Sequence, residues 1–217
     1  MSSNETDICQ PLPRPGPGRP PVLSDKARHD RIISAAEEVF FVRGFAAATM
    51  EEIAKSAGMS KRTLYKHFDN KEALFIAFVT EADIAPDKSV NCHSDPLEEL
   101  RQRFQILIRH VLSPRQIKMT RLMIEEADTL PAIAKAFYER VMKRGHCQIA
   151  ETLKKLCVQY PDLSIIASER SAAVVTGAVL GELHIRALLG ETSAITDTEI
   201  LQRVDIALEL VFGQLRS

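Results

Sequence analysis

The stretch GMSKRTLYKHFDNKEAL, residues 58–74, places Lys61, Arg62, Tyr65, Lys66 and His67 within seven consecutive positions of a chain whose formal net charge is −1. On a helix turning about 100° per residue, Leu64 and Phe68 share one face, where they can pack with Met59. Arg62, Thr63 and Lys66 then fall on the opposite side, with Tyr65 and His67 on its flanks and Lys61 in the exposed first turn. A helix that reads a DNA major groove has this layout: crest side chains reach base edges, and flank side chains reach phosphates on the groove walls.

The residues just upstream complete a recognisable unit. Thr49 and Glu52 in TMEE form a capping box that starts a short helix, Gly58 supplies a left-handed turn, and Ser60 caps the next helix. Two short helices joined in this way make a helix-turn-helix. A first helix, about Ser24 to Arg43, buries Ile32, Ile33, Ala36, Val39 and Phe40, and Gly44 stops it. Further helix starts fall at Asp69/Asn70, Asp95-Pro96, Ser113-Pro114, Leu130-Pro131, Ser164 and Thr196 to Glu199. No alternating strand pattern interrupts them. The expectation is an all-α protein of about nine helices: an arm over 1–23, a three-helix DNA-binding unit over 24–75, and a larger helical bundle over 76–217.

Composition narrows the function classes. The near-neutral balance means that any affinity for nucleic acid comes from a local patch. Six of the eleven prolines lie in the first 21 residues, a composition that reads as a disordered basic arm. No segment reaches the length of uncharged apolar residues needed to cross a bilayer, and the N-terminus lacks a secretory core, so a cytoplasmic protein without membrane contact is expected. Cys9, Cys92, Cys147 and Cys157 contain no CxxC pair and read as reduced thiols; the adjacent pairs Cys92/His93 and His146/Cys147 diverge on a helix, and no metal or cofactor is expected. There is no glycine-rich phosphate loop, HExxH or GxSxG, and the Glu125-Glu126 carboxylates diverge, so an enzyme is not expected.

The run from Thr49 through Ile53, Ala54, Ala57, Gly58, Thr63, Leu64, Tyr65, His67, Phe68 and Lys71 to Leu74 resembles the DNA-binding domain of the tetracycline-repressor (TetR) family over about residues 24–75. A second, weaker likeness, carried by TRLMIEEADTLPAIAKAFYERV (120–141), is to AefR-like C-terminal domains of that family. The resemblance implies a homodimeric transcriptional regulator, usually a repressor, on a palindromic operator, with ligand binding and dimerisation in the bundle over 76–217. It implies phosphate contacts from Thr49, Tyr65, His67 and Lys71, and base contacts from Lys61, Arg62, Thr63 and Lys66. Gly18-Arg19-Pro20 resembles the core of an AT-hook, which would lay Arg19 in a minor groove. An enzyme is the main rival class, and a ligand-independent architectural DNA protein is a second.

In the second half, Ala173, Gly177 and Gly181 recur every four residues, which lets another helix approach closely. Leu201, Val204, Leu208 and Val211 run at heptad-like spacing along the last helix. Two broad apolar faces at the chain's end point to a four-helix dimer interface through Gly177, Gly181, Leu201, Val204, Leu208 and Val211. Between helices 4 and 7, Phe78, Phe104, Ile108, Met119, Met123, Phe137 and His146 are candidates for a pocket that takes a small, mainly apolar effector.

Overall fold

A computed structural model describes residues 24–81, 95–161, 168–191 and 195–213. The N-terminal arm with Arg19 and its Gly-Arg-Pro tripeptide, together with Cys9, Cys92, His93 and Ser164, lies outside the described residues.

Among the described residues there are helices and no strand. The order is α1 (Asp25–Ala47), α2 (Met50–Ser56), α3 (Lys61–Tyr65), α4 (Lys71–Glu81), α5 (Pro96–Val111), α6 (Pro114–Glu126), α7 (Pro131–Phe137), a π-helical turn (Tyr138–Met142), α8 (Lys143–Gln159), α9 (Glu169–Leu188) and α10 (Asp197–Phe212). Because α7 runs through the π turn into α8 without a break, the described residues form nine rods.

Local chemistry sets the helix ends. Ser24, Asp95, Ser113, Ser168 and Thr196 each accept a backbone N–H of the turn they start, which satisfies donors that have no partner within the helix. Asn70 does the same for α4 through Ala73 N at 2.7 Å. The Thr49–Glu52 capping box is present in both directions, with Glu52 N donating to Thr49 Oγ1 at 3.2 Å and Thr49 N donating to Glu52 Oε2 at 3.1 Å. The backbone of α1 leaves helical conformation at Gly44, φ 73° and ψ 173°, where an L side chain would be strained.

Two cores organise the chain. The first gathers Ile32 and Phe40 of α1, Ile53 of α2, Leu64 of α3, and Leu74, Phe75 and Phe78 of α4, with Phe40 and Phe75 edge-on at 4.7 Å. It also takes in Met119, Leu122 and Met123 of α6 and Ile133 of α7. The boundary expected at residue 75 therefore falls inside α4, an unbroken helix whose Leu74 and Phe78 bury into the same core. The second core joins α5, α8, α9 and α10 through residues such as Phe104, Ile108, Leu153, Val179, Val204 and Phe212. Beside it the Glu99 carboxylate, 2% exposed, is held by Lys155 at 2.9 Å and Arg103 at 3.0 Å. Burial pushes that carboxyl up, and hydrogen bonds from Lys155 and Arg103 outweigh it and hold the group below the usual carboxylate range.

The helix α9 has two apolar sides. Ala172, Val175, Thr176, Val179, Leu183 and Ala187 are buried, while Val174, Ile185 and Leu189 stand 72%, 57% and 78% exposed on the other side. By length and average hydropathy α9 is apolar enough to cross a membrane, although Glu169, Arg170, Glu182 and Arg186 interrupt it, so no run of uncharged apolar residues reaches that length. Its double apolar face is what raises the average.

Candidate nucleic-acid interface and effector cavity

The α2–α3 unit is built by its turn. Gly58 has φ 62°, a conformation that an L side chain rarely adopts, so glycine serves the turn. Ser60 then accepts Thr63 N at 3.1 Å and starts α3. Leu64 and Phe68 are buried beneath it, which fixes the opposite face outward.

On that face Arg62 and Lys66 are exposed, as is Tyr65, while His67 is half-buried on the flank. Lys61 is exposed but reaches back to the Glu51 carboxylate and lies 5.7 Å over the Tyr65 ring. Thr63 is half-buried, with its hydroxyl 2.9 Å from Ser60 Oγ. Thr49 is exposed, its hydroxyl within the capping box at 3.1 Å from Glu52 Oε2.

Lys71 departs from its expected role. Its ammonium donates to the carbonyls of Phe45, Ala46 and Ala48 at 2.7, 3.2 and 2.8 Å, and it sits 4.4 Å over the Phe45 ring. All three protons are engaged, so in this conformation Lys71 fastens the α1–α2 connection and has none to offer a phosphate.

A cavity of about 170 Å³ lies within the second half of the chain. Its wall comes from α5 (Leu107, His110, Val111), α6 (Gln116, Thr120), the α7–α8 rod and α9 (Thr176, Leu180, His184). The rod contributes Phe137 before the π turn, Val141 and Met142 within it, and His146 after it. Phe137 and His146 of the expected set line this space. The others do not: Phe78, Met119 and Met123 belong to the first core, and Phe104 and Ile108 to the second. The pocket thus lies between α5 and α9, not between helices 4 and 7, because α4 turns its phenylalanines into the first core.

The polar part of the wall is distinctive. Thr176 Oγ1 and His184 Nε2 are buried with no hydrogen-bond partner among the described residues. His110 Nε2 lies 3.2 Å from Gln116 Nε2. Burial pushes the imidazoles of His184 and His146 below their ordinary range, with Glu169 opposing it in part at His146. The sequence reading missed Thr176 and His184, although both are polar residues on the inward side of an apolar helix, eight positions apart.

The helix α6 ties this cavity to the first core. Arg115 at its start donates to Glu37 of α1, Nε to Oε1 at 2.9 Å and Nη2 to Oε2 at 2.6 Å. Glu126 at its end accepts Phe45 N at 3.2 Å, beside the break at Gly44. Between them Arg121 donates to the carbonyls of Leu188 and Ala187 at 3.0 and 3.2 Å, capping the end of α9.

An exposed basic helix thus stands toward one end of the chain, and a mainly apolar cavity with a few polar atoms toward the other. Residues 32–78 match the family described as bacterial regulatory proteins, tetR family, and residues 98–214, more than half of the chain, match the C-terminal domain of AefR-like transcriptional repressors. The chain belongs to the TetR family of transcriptional regulators. Among curated TetR-type relatives, it is 50% identical to the transcriptional activator FasR of Mycolicibacterium smegmatis over 50 residues, 23% of each chain. Such matches span only about a quarter of the relatives' length. Solved structures extend the likeness. A TetR-family regulator from Mesorhizobium loti is 26% identical with a TM-score of 0.73, covering 86% of this chain and 96% of that one. The flavonoid-responsive regulator FrrA is also 26% identical, with a TM-score of 0.67 and the same coverage.

On α9, Gly177 is exposed and Gly181 half-exposed, and a Cβ at either would meet nothing within 4 Å. No helix of the same chain approaches them among the described residues. On α10, Leu201 is 39% exposed and Val211 half-buried, but Val204 and Leu208 are 0% and 3% exposed within the second core. Those two close the monomer and are not available to a partner, because both pack into the second core with Val175, Val179 and Phe212.

Proposed function

We propose that this TetR-family regulator is a repressor that binds a palindromic operator as a homodimer in the cytoplasm and leaves it when a small, mainly apolar effector enters the cavity. The observation that carries this reading is α6, one helix that walls the cavity through Gln116 and Thr120 and grips α1 through Arg115 and Glu126. A ligand that moves α6 moves the reading head with it. In a dimer, the two α3 helices must be separated by about one turn of B-DNA, ~34 to 36 Å, so a shift of a few ångströms costs contacts in a half-site.

Arg62 and Lys66 read base edges in this proposal, with Lys61 and Thr63 beside them, and Tyr65, His67 and Thr49 meet phosphate. Arg19 is assigned to the neighbouring minor groove. The second copy docks on the outward face of α9, where glycines at 177 and 181 allow close approach between Val174 and Ile185, and on the exposed edge of α10. The flavonoid-responsive relative supports an organic effector, and the AefR-like repressor match supports repression.

Selection of bound sequences from random duplex DNA tests the proposal. A single palindrome, released by a compound that binds the cavity, is expected. The coupling is reciprocal, so operator must weaken the compound by the same factor. Equal binding to most A·T-rich duplexes, unaffected by any cavity ligand, would replace this reading with an architectural role.

A further inference from the structure

We propose that the cavity selects an uncharged, elongated molecule with one aromatic ring and an oxygen-bearing hydrogen-bonding group at each end. The inference rests on the cavity being the effector site and specifies the chemistry of its occupant.

The face that α9 turns to the cavity runs polar, apolar, polar: Thr176, Leu180 and His184 at successive four-residue steps. Their outer α-carbons lie about 12 Å apart along the axis, and each side chain leans toward the helix N-terminus. One hydroxyl cannot reach both ends. Thr176 Oγ1 and His184 Nε2 are both buried and unpartnered among the described residues, Thr176 at only 7% exposure. A buried polar atom without a partner is costly, and a hydrocarbon ligand would leave both in that state. A ligand with a donor at one end and an acceptor or donor at the other satisfies both.

Charge and size narrow the class. Among the described residues no aspartate, glutamate or lysine lines the cavity, and its arginine, Arg144, is exposed at the wall. The half-buried histidines His146 and His184 favour their neutral forms. A carboxylate drawn to the α9 side would therefore lose hydration without a buried counter-charge. The volume, about 170 Å³, is close to that of an apolar protein cavity of about 150 Å³ that holds benzene. One ring with short substituents fits it. Phe137 and Met142 supply an aromatic face and a polarisable thioether for that ring. The π turn at Tyr138–Met142 shapes this wall, and such turns recur at functional sites.

Calorimetric titration of the full chain, without DNA, tests the inference with methyl 4-hydroxybenzoate. Its comparators are methyl 4-methylbenzoate, which lacks the hydroxyl, and 4-hydroxybenzoate, which is charged. The hydroxyl ester is expected to bind about tenfold or more tighter than either comparator, a hydrogen bond to a buried polar atom, or the desolvation of a charge, being worth at least about that factor. Thr176→Val and His184→Phe both fill their space without a free polar atom and should retain the wild-type helical circular dichroism. The one that faces the hydroxyl should erase most of the preference over methyl 4-methylbenzoate, and the other, which faces the ester that both compounds share, should weaken the two esters alike. Equal affinity for all three compounds, tightest binding by the carboxylate, no binding by the hydroxyl ester, or an unchanged preference in both variants would overturn the inference. The ester binding with the stated preference yet leaving operator bound would instead overturn the sensor reading and leave the cavity's chemistry standing.

Discussion

Arg115 of α6 meets Glu37 of α1 side by side, two N–H groups on two carboxylate oxygens at 2.9 and 2.6 Å, across 78 residues of sequence. Paired planar contacts of this kind fix orientation as well as distance. In Arg115→Ala a cavity ligand should bind with unchanged affinity, while its effect on operator binding falls several-fold; Glu37→Gln should do the same. Both partners are about one-quarter to one-third exposed, so the cost in stability is only about 1 kcal/mol. Ligand titrations with and without operator read the coupling directly, and full coupling in both variants would remove α6 as the link.

The two kinds of lysine near the reading head separate by salt dependence. Lys66 is exposed, so Lys66→Ala should relax base preference by about 1 to 3 kcal/mol at particular positions. Lys71→Met should leave the slope of affinity against salt nearly unchanged and lower stability by about 2 kcal/mol, because it removes three carbonyl contacts rather than a phosphate contact. A slope reduced by about one in Lys71→Met would show that its ammonium leaves the loop for the backbone of DNA.

Gly177→Glu and Leu208→Asp distinguish an interface from a core. Nothing lies within 4 Å of a Cβ at 177, so that variant should keep its helical content yet sediment as a monomer and lose affinity for a full palindrome. Leu208 is 3% exposed in the second core, and an unpaired carboxylate there should unfold the chain by several kcal/mol. A dimer that survives Gly177→Glu places the second copy elsewhere.

Acid should weaken the fold through its half-buried histidines. Burial disfavours the charged forms of His184 and His146, so below the ordinary imidazole value of 6.5 the unfolded chain binds protons that the folded chain refuses. Stability is then full above that value and declines as pH falls beneath it. Thermal unfolding between about pH 7.5 and 5.5 should show this decline, and His184→Gln should make it shallower. An identical slope in the variant would exclude His184 as a contributor.

Local signals made the reading head legible. The Thr49–Glu52 box, Gly58, Ser60 and the Leu64/Phe68 pair act within a few residues of one another, so the sequence determines their geometry almost alone. The contacts of Lys71 in the free chain were not legible, because its partners, the carbonyls of Phe45, Ala46 and Ala48, are backbone groups that no side-chain pattern displays. The cavity was harder for a different reason. Met119 and Met123 carry the same apolar pattern whether they face a ligand or Phe78, and only the packing of α6 on α1 decides between them. Val204 and Leu208 were assigned to a dimer seam for the same cause: period alone does not say which of two apolar neighbours a helix meets.

The first core draws on α1 to α4, α6 and α7, whereas the second draws on α5 and α8 to α10. Along the chain the two interleave, since α5 precedes α6 and α7 yet packs with the helices that follow them. No single crossover point can therefore hand a relative one complete half, and a chimera cut after Glu81 would leave Met119, Leu122 and Ile133 against unfamiliar neighbours. A designed change of operator is expected to succeed by point substitution at exposed positions such as Arg62 and Lys66 and to fail by exchange of residues 24–81 as a block, with thermal unfolding of the chimera as the check.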